Sequence, residues 1–215
     1  MSKTIIFVPT LQEANKIFDN TRFVLWECNI FRTMINNMQV FITGVGKSNA
    51  AITAALVASK LEPAKIYLTG FCGSYSQSGL NVGDIVSIES DYFVDEGFIE
   101  NGELINTSEI GFPISDNNKT IFSTIDSLKK VNANTVSMLS YNNELATTYY
   151  NKTKASVETM EGASIGLVAK KMGISSFHIR AVSNFCGNRN RQSWDVKSAA
   201  TALKIFFQNN ISFFN

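Results

Sequence analysis

Short apolar runs alternate along this chain with segments of helical period, and most runs are closed by proline or glycine. Ile5-Ile6-Phe7-Val8 is apolar at consecutive positions, the pattern of a strand buried on both faces. Pro9-Thr10 stops it, and Leu11 to Phe18 begins a helix with Thr10 as its cap. Met38 to Thr43 repeats the pattern, followed by the tight turn Gly44-Val45-Gly46-Lys47-Ser48-Asn49 and an Ala-rich helix from Ala50 to Leu61. Ala64 to Leu68 is a third strand, Thr69-Gly70-Phe71-Cys72-Gly73-Ser74 a second glycine turn, and Gly79 to Asp84 leads into a strand from Ile85 to Ser90. Strands alternating with helices imply the α/β class, with a mainly parallel sheet covered on both faces.

The remaining segments extend this reading. Thr21 to Asn37 is a short strand and loop, and the acidic residues Asp91, Asp95, Glu96, Glu100 and Glu103 mark a solvated loop. Asn117 to Lys130 reads as helix, Val131 to Met138 as strand and Asn142 to Tyr150 as helix. Asp195 caps a last helix that reaches Phe207, with apolar Ala199, Ala202, Leu203 and Phe206 at helical spacing. The aromatic tail, Phe206, Phe207, Phe213 and Phe214, belongs to core or subunit interface. With 215 residues, 45% hydrophobic residues and no repeat or linker, the expectation is a single domain over residues 1–215.

Charge and cysteine content narrow the partners. A net charge of +1 offers no field for nucleic acid, so the expected partner is a small molecule or another protein chain. Cys28, Cys72 and Cys186 are widely spaced, with no Cys-x-x-Cys pair, which excludes a disulfide framework or zinc site and suits a reducing cytoplasm. No apolar stretch reaches bilayer length, and the first apolar run is too short for a signal peptide, so no membrane role is expected. The Gly44 to Asn49 turn lacks the third glycine of a dinucleotide fingerprint and the loop spacing of a P-loop. Its glycines serve a sharp turn, or its amides line a ligand pocket.

The stretch from Val157 to Trp194 concentrates the chemistry. Glu158 and Glu161 precede a helix, and the strand Phe177 to Val182 ends in Ser183-Asn184. If that helix packs back on the sheet, both ends share the rim where α/β proteins hold ligands. The one histidine, His178, lies within an apolar strand and reads as packed and hydrogen-bonded, which leaves serine triads and histidine metal sites without a base or ligand. Carboxylates remain: Glu13, Glu158 and Glu161, each where a strand hands over to a helix. No cofactor and no metal are expected.

Five motifs then carry a resemblance. Thr43-Gly44-Val45-Gly46-Lys47-Ser48-Asn49-Ala50-Ala51, Thr69-Gly70-Phe71-Cys72-Gly73, Val82-Gly83-Asp84-Ile85-Val86, Met160-Glu161-Gly162-Ala163 and Arg180-Ala181-Val182-Ser183-Asn184 occur in an order that resembles the purine nucleoside phosphorylase and nucleosidase superfamily. The resemblance covers nearly the whole chain and implies a three-layer α/β/α fold with a central mixed, mainly parallel sheet. Within the superfamily three details are similar to futalosine hydrolases, the menaquinone-pathway enzymes that remove hypoxanthine from futalosine. They are the spacing Val157-Glu158-Thr159-Met160-Glu161, Asn184 where adenine-specific nucleosidases carry Asp, and the segment Asn188-Arg189-Asn190-Arg191-Gln192-Ser193-Trp194.

The resemblance implies roles. Glu161 accepts hydrogen bonds from both ribose hydroxyls, Glu13 is the general base for water, and Glu158 is a further catalytic or water-holding carboxylate. Asn184 meets the purine: an amide accepts from N7–H and donates to a 6-oxo group, whereas Asp only accepts. Met160, Phe71, Cys72 and Gly73 line the substrate, with the Cys72 thiol inert. Tyr141 stacks on the base, and Arg189 and Arg191 with Trp194 read the aromatic carboxylate at the far end. Leu68 and Phe71 stand where phosphorylases bind phosphate with arginine and serine, which favours water as nucleophile. A homodimer or higher homo-oligomer is implied. The alternatives are a nucleosidase for methylthioadenosine, adenosylhomocysteine or aminodeoxyfutalosine, a phosphorylase, and a non-catalytic nucleoside-binding protein.

Overall fold

The computed structural model describes residues 4–19, 21–188 and 193–210. The first half of the chain contains β1 (Thr4–Val8), α1 (Leu11–Ile17), β2 (Val24–Leu25), β3 (Phe31–Ile35), β4 (Met38–Ile42), α2 (Lys47–Leu61), β5 (Lys65–Ser74) and β6 (Ile85–Phe93). The second half adds β7 (Gly97–Glu100), β8 (Glu103–Asn106), β9 (Lys119–Ile121), β10 (Lys129–Thr135), α3 (Asn143–Thr153), β11 (Val157–Thr159), α4 (Gly162–Met172), β12 (Ser175–Phe185) and α5 (Val196–Asn209). Ten strands form one mixed sheet in the order β11-β10-β6-β12-β5-β1-β4-β3-β2, with β9 beside β6, while β7 and β8 form a separate hairpin.

Consecutive apolar residues in β1 do what their pattern requires. Ile6 and Val8 join a cluster with Ala14 and Ile17 of α1 and Leu203, Phe206 and Phe207 of α5. Ile5 and Phe7 face the other way, toward Ala50, Ala54 and Val57 of α2 and Ile165 and Ala169 of α4. All four strand residues are fully buried, at roughly 1.5–3 kcal/mol of transfer free energy for each side chain. Among the described residues no helix is long and apolar enough to cross a membrane.

The sheet is not a plain open one. β11 pairs parallel with β10 and antiparallel with β5, so β11, β10, β6, β12 and β5 close into a ring. Closure explains the departure at Thr69–Ser74, expected as a turn: β5 runs straight through it, paired with β12 on one side and β11 on the other. Glycine there serves close approach instead of reversal. The helix expected from Asn117 to Lys130 is also absent, replaced by β9, a turn and the start of β10. Pairing of β9 with Ser90–Tyr92 and burial of Thr120 and Phe122 override the local helical pattern.

The acidic stretch is not a solvated loop either. Asp91 lies fully buried in β6, and Asp95 and Glu96 both pair with Lys47 at the start of α2, the latter at 2.8 Å. Only the β7–β8 hairpin beyond them is open to solvent.

Candidate active site

A cavity of about 210 Å³ opens where β1, β5, β11 and β12 end, beside the first turns of α1 and α4. The two ends of the Glu161–Asn184 stretch do share this rim, and Glu13 comes to it from the other end of the chain.

Glu161 sits at the N-terminus of α4. Its carbonyl accepts from the Ser164 and Ile165 amides, but its side chain makes no capping bond and turns instead to the cavity. Oε1 accepts from the Gly46 N–H at 3.1 Å and Oε2 from Arg180 Nη2 at 3.0 Å. Each oxygen keeps a lone pair for a further donor. The Gly44 to Asn49 turn therefore contributes through its backbone: Gly46, at φ 92°, aims its amide at the carboxylate.

Arg180, buried in β12, holds the site together. Besides Glu161 it donates from Nη1 to the Phe71 carbonyl at 3.0 Å and from Nε to His178 Nε2 at 2.8 Å. Burial and the neighbouring guanidinium lower the His178 pKa to about 4, so the ring is neutral and acts as acceptor. Gly70 makes this approach sterically accessible. A Cβ there would lie 2.8 Å from Arg180 Nη1, 3.1 Å from Pro9 Cδ and 3.2 Å from Glu13 Oε1, at a φ of +147° that L-residues rarely adopt.

Glu13 is in the first turn of α1. Thr10 caps the helix by accepting from the Glu13 N–H at 3.1 Å, and its hydroxyl lies 3.1 Å from Glu13 Oε2, to which it donates. Glu13 Oε1 accepts from the Phe71 N–H at 3.1 Å. Desolvation raises the pKa of this carboxylate above its ordinary 4.5, outweighing the opposing pull of Arg180 and the Phe71 amide. A carboxylate of enhanced basicity beside a cavity is suited to deprotonate water.

Glu158 and Asn184 flank Gly73 on β5, one from β11 and one from β12. A bulge lets Val182 oppose Cys72 and Asn184 oppose Gly73, leaving Ser183 as the extra residue. Ser183 Oγ donates to Asn184 Oδ1 at 2.9 Å, and Asn184 Nδ2 donates to the Phe185 carbonyl at 3.2 Å. Because that carbonyl can only accept, the amide has one orientation. Glu158 accepts from Ser140 N at 2.9 Å, Ser140 Oγ at 2.5 Å and Tyr75 Oη at 3.1 Å. It thereby fastens the segment whose Leu139 forms part of the cavity wall. Desolvation raises its pKa too, against those three donors.

Of the residues singled out from sequence, Glu13, Phe71, Cys72, Gly73, Glu158, Met160, Glu161, Asn184 and Trp194 all line this cavity. Tyr141 does not line it; it is 54% exposed beyond Ser140. Arg189 and Arg191 lie outside the described residues. The Cys72 thiol is buried and its pKa pushed up to about 12, as an inert packing group requires. Sequence reasoning missed Arg180, although an arginine in an otherwise apolar strand signals a buried anion in need of a cation. It also missed Ser183 and Leu139. Among the described residues no group of three or more His, Cys, Asp or Glu side chains is placed to hold a metal ion.

Comparison with known proteins bears on the family and the fold. The profile of the phosphorylase superfamily matches residues 8–211. A curated relative, the futalosine hydrolase of Thermus thermophilus, is 29% identical over 175 residues, covering 75% of this chain and 75% of its own. In fold, the chain is similar to the futalosine hydrolase of Helicobacter pylori, with a TM-score of 0.76 and 16% identity over 97% of this chain and 98% of that one. It is equally similar to the Arabidopsis thaliana 5'-methylthioadenosine nucleosidase, with a TM-score of 0.79 and 17% identity over 100% and 96%. From the profile match over most of its length, the chain belongs to the phosphorylase superfamily.

Proposed function

We propose that the enzyme hydrolyses the N-glycosidic bond of futalosine, releasing hypoxanthine and dehypoxanthine futalosine for menaquinone biosynthesis. One observation carries the reading: Glu13 from one end of the chain and Glu161 and Asn184 from the other line a single cavity, each with a different set of partners. Glu161, anchored from behind, presents its free lone pairs to the vicinal ribose hydroxyls, and its negative charge stabilises the sugar as it becomes oxocarbenium-like. Glu13 takes a proton from water, whose oxygen bonds to the anomeric carbon while the bond to the purine breaks. The purine takes a proton from solvent at N7 and leaves neutral; Asn184 Oδ1 accepts a hydrogen bond from that N7–H, and the remaining Asn184 N–H donates to the 6-oxo group.

Water is favoured as the nucleophile because, among the described lining residues, no cation stands free of protein partners to bind phosphate. Among its described lining residues Arg180 is the one cation, and each of its nitrogens already donates to protein. Leu68, at one position where phosphate-binding relatives differ, is buried in the core, and Phe71 offers the cavity a side chain without charge. Trp194 on the wall supplies an aromatic surface for the far end of the substrate. The functional unit is a homodimer or higher homo-oligomer, supported by the exposed Val45 and Ile52 around the start of α2; light scattering measures it.

The deciding experiment incubates the protein with futalosine, aminodeoxyfutalosine, methylthioadenosine and inosine, with and without phosphate, and identifies the released base and sugar. Hypoxanthine from futalosine without phosphate supports the proposal. Dominant adenine release refutes the role of Asn184, and a strict phosphate requirement refutes hydrolysis.

A further inference from the structure

Beneath the cavity a circuit of buried side chains leaves Glu161 and returns to Ala163, two positions separated only by Gly162. Arg180 Nη2 donates to Glu161 Oε2 at 3.0 Å, and Arg180 Nε donates to His178 Nε2 at 2.8 Å. His178 Nδ1 faces Asp91 Oδ2 at 3.3 Å, and neither atom has another partner among the described residues. Thr135 Oγ1 donates to Asp91 Oδ1 at 2.8 Å and accepts from the Ala163 N–H at 2.9 Å. Asp91, Thr135 and His178 are wholly buried, on three neighbouring strands of the closed ring.

Each proton in the circuit has one place to go. Arginine has no acceptor, so the bond from Nε requires an unprotonated His178 Nε2 and leaves the ring proton on Nδ1, facing Asp91. The Ala163 amide can only donate, so the Thr135 hydroxyl accepts there and gives its proton to its nearer acceptor, Asp91 at 2.8 Å, leaving Thr159 Oγ1 at 3.2 Å to donate to it. Gly162 passes directly over this pair: a Cβ would lie 1.9 Å from Asp91 Oδ2 and 2.3 Å from His178 Cε1. A histidine and an aspartate out of water are costly where apolar side chains would fill the same space. Packing alone does not account for them.

We propose that His178 and Asp91 are positioning residues for the reaction. By accepting at Nε, His178 turns the guanidinium edge-on, so that Nη2 meets Glu161 and Nη1 meets the Phe71 carbonyl. One fork thereby sets the sugar-binding carboxylate and also Phe71, whose N–H holds the base Glu13. Asp91 and Thr135 fix the imidazole and tie it to the start of α4, whose first residue follows Glu161. The proposal rests on the reading of Glu161 as the group that grips the sugar diol.

The test exploits a sequence with one histidine. Protein carrying ¹⁵N-histidine gives a single imidazole by NMR, expected with its proton on Nδ1, and Arg180→Lys shifts the Nε2 resonance. In kinetics with futalosine, His178→Phe lowers kcat/KM by on the order of 10- to 100-fold, the range for losing a hydrogen bond to a charged group. KM rises as well as kcat falling, because the carboxylate is misaimed in every folded molecule. His178→Gln, which returns an acceptor oxygen to Arg180, recovers most of the loss. If His178→Phe fails to fold, Asp91→Asn replaces it, with the same rise in KM expected. A ring protonated on Nε2, or variants that lose thermal stability with KM and kcat unchanged, overturns the proposal. If the wild type spares futalosine but cleaves another nucleoside of the panel, only the substrate assignment falls, and the variants are compared on that nucleoside. A wild type that cleaves none overturns both.

Discussion

Replacing Glu13 by glutamine separates the chemistry of the site from its shape. The amide is isosteric: its oxygen still accepts from the Phe71 N–H at 3.1 Å, and its NH₂ falls opposite Thr10 Oγ1, which has a lone pair beyond the one used by the Glu13 N–H. The cavity and the α1 cap therefore survive, while the group that takes the proton from water is lost. General-base catalysis contributes about 10²- to 10⁴-fold, so kcat falls by that factor, about 3–5 kcal/mol in barrier height. KM changes little. Stability moves the other way. Burial raises the Glu13 pKa above 4.5, so the folded protein binds this proton more tightly than the unfolded chain. The stabilisation from protonated Glu13 is full below 4.5 and disappears as pH rises through the folded-state value, so at neutral pH the ionised carboxylate is a cost that glutamine removes. Part of that cost is relieved by the opening to the cavity, where solvent screens the charge. Single-turnover hydrolysis of futalosine and thermal melts at pH 5 and pH 8 read both effects. The variant is expected to be inactive, and to be more stable relative to wild type at pH 8 than at pH 5. In wild type the acid limb of kcat/KM falls above 4.5. A variant that keeps wild-type kcat refutes the role of Glu13.

Asn184→Asp replaces the donor that faces a 6-oxo group by a second acceptor, a mismatch of roughly 1–3 kcal/mol. The ratio of kcat/KM for aminodeoxyfutalosine over futalosine should rise about tenfold or more, and an unchanged ratio removes Asn184 from base recognition. Gly70→Ala forces a Cβ to within 2.8 Å of Arg180 at a φ of +147°; chemical denaturation should show a loss of roughly 2–4 kcal/mol, and activity should vanish. Glu158→Gln sets an NH₂ group against a cluster of donors from Ser140 and Tyr75. Loosening of the Leu139 wall then raises KM several-fold more than it lowers kcat, at about 1–3 kcal/mol in stability, whereas a pure loss of kcat would make Glu158 a catalytic group.

Legibility from sequence followed the physics of each segment. β1 and β4 were readable because strands buried on both faces are mostly apolar at consecutive positions, and helices α1 and α5 because Thr10 and Asp195 cap them locally. Residues Asn117 to Lys130 were misread because their structure is set from outside: β9 exists by pairing with β6, and its buried Thr120, with Phe122 just beyond it, packs against Gly166 of α4. Thr69–Ser74 was misread for a related reason. Two glycines in six residues signal a turn, yet in β5 they mark where Arg180 and Cys186 come closer to the backbone than a side chain allows. Closure of the ring has no local signature at all, since it needs β5 to pair on both sides beyond Leu68.

The candidate site shows the same division at the scale of single residues. Glu13, Glu161 and Asn184, which the structure brings to one cavity, could be singled out because they stand at strand and helix ends, where sequence gives position and chemistry together. Arg180, His178 and Asp91 were given no role because their purpose lies in each other. Asp91 was read as one of several solvated loop residues, which its burial in β6 overturns, and His178 as packed and hydrogen-bonded, which it is, though with no role attached. Only the register that sets His178 opposite Ile88, three residues before Asp91, places the imidazole over that carboxylate and beneath Gly162. A buried charge of either sign requires a partner of the other. The arginine in a strand of apolar neighbours therefore already implied an anion such as Glu161, and the aspartate buried in β6 implied a donor. What the sequence could not state is that one histidine stands between the two, accepting from Arg180 and facing Asp91, which is the placement from which its proposed effect on Glu161 follows.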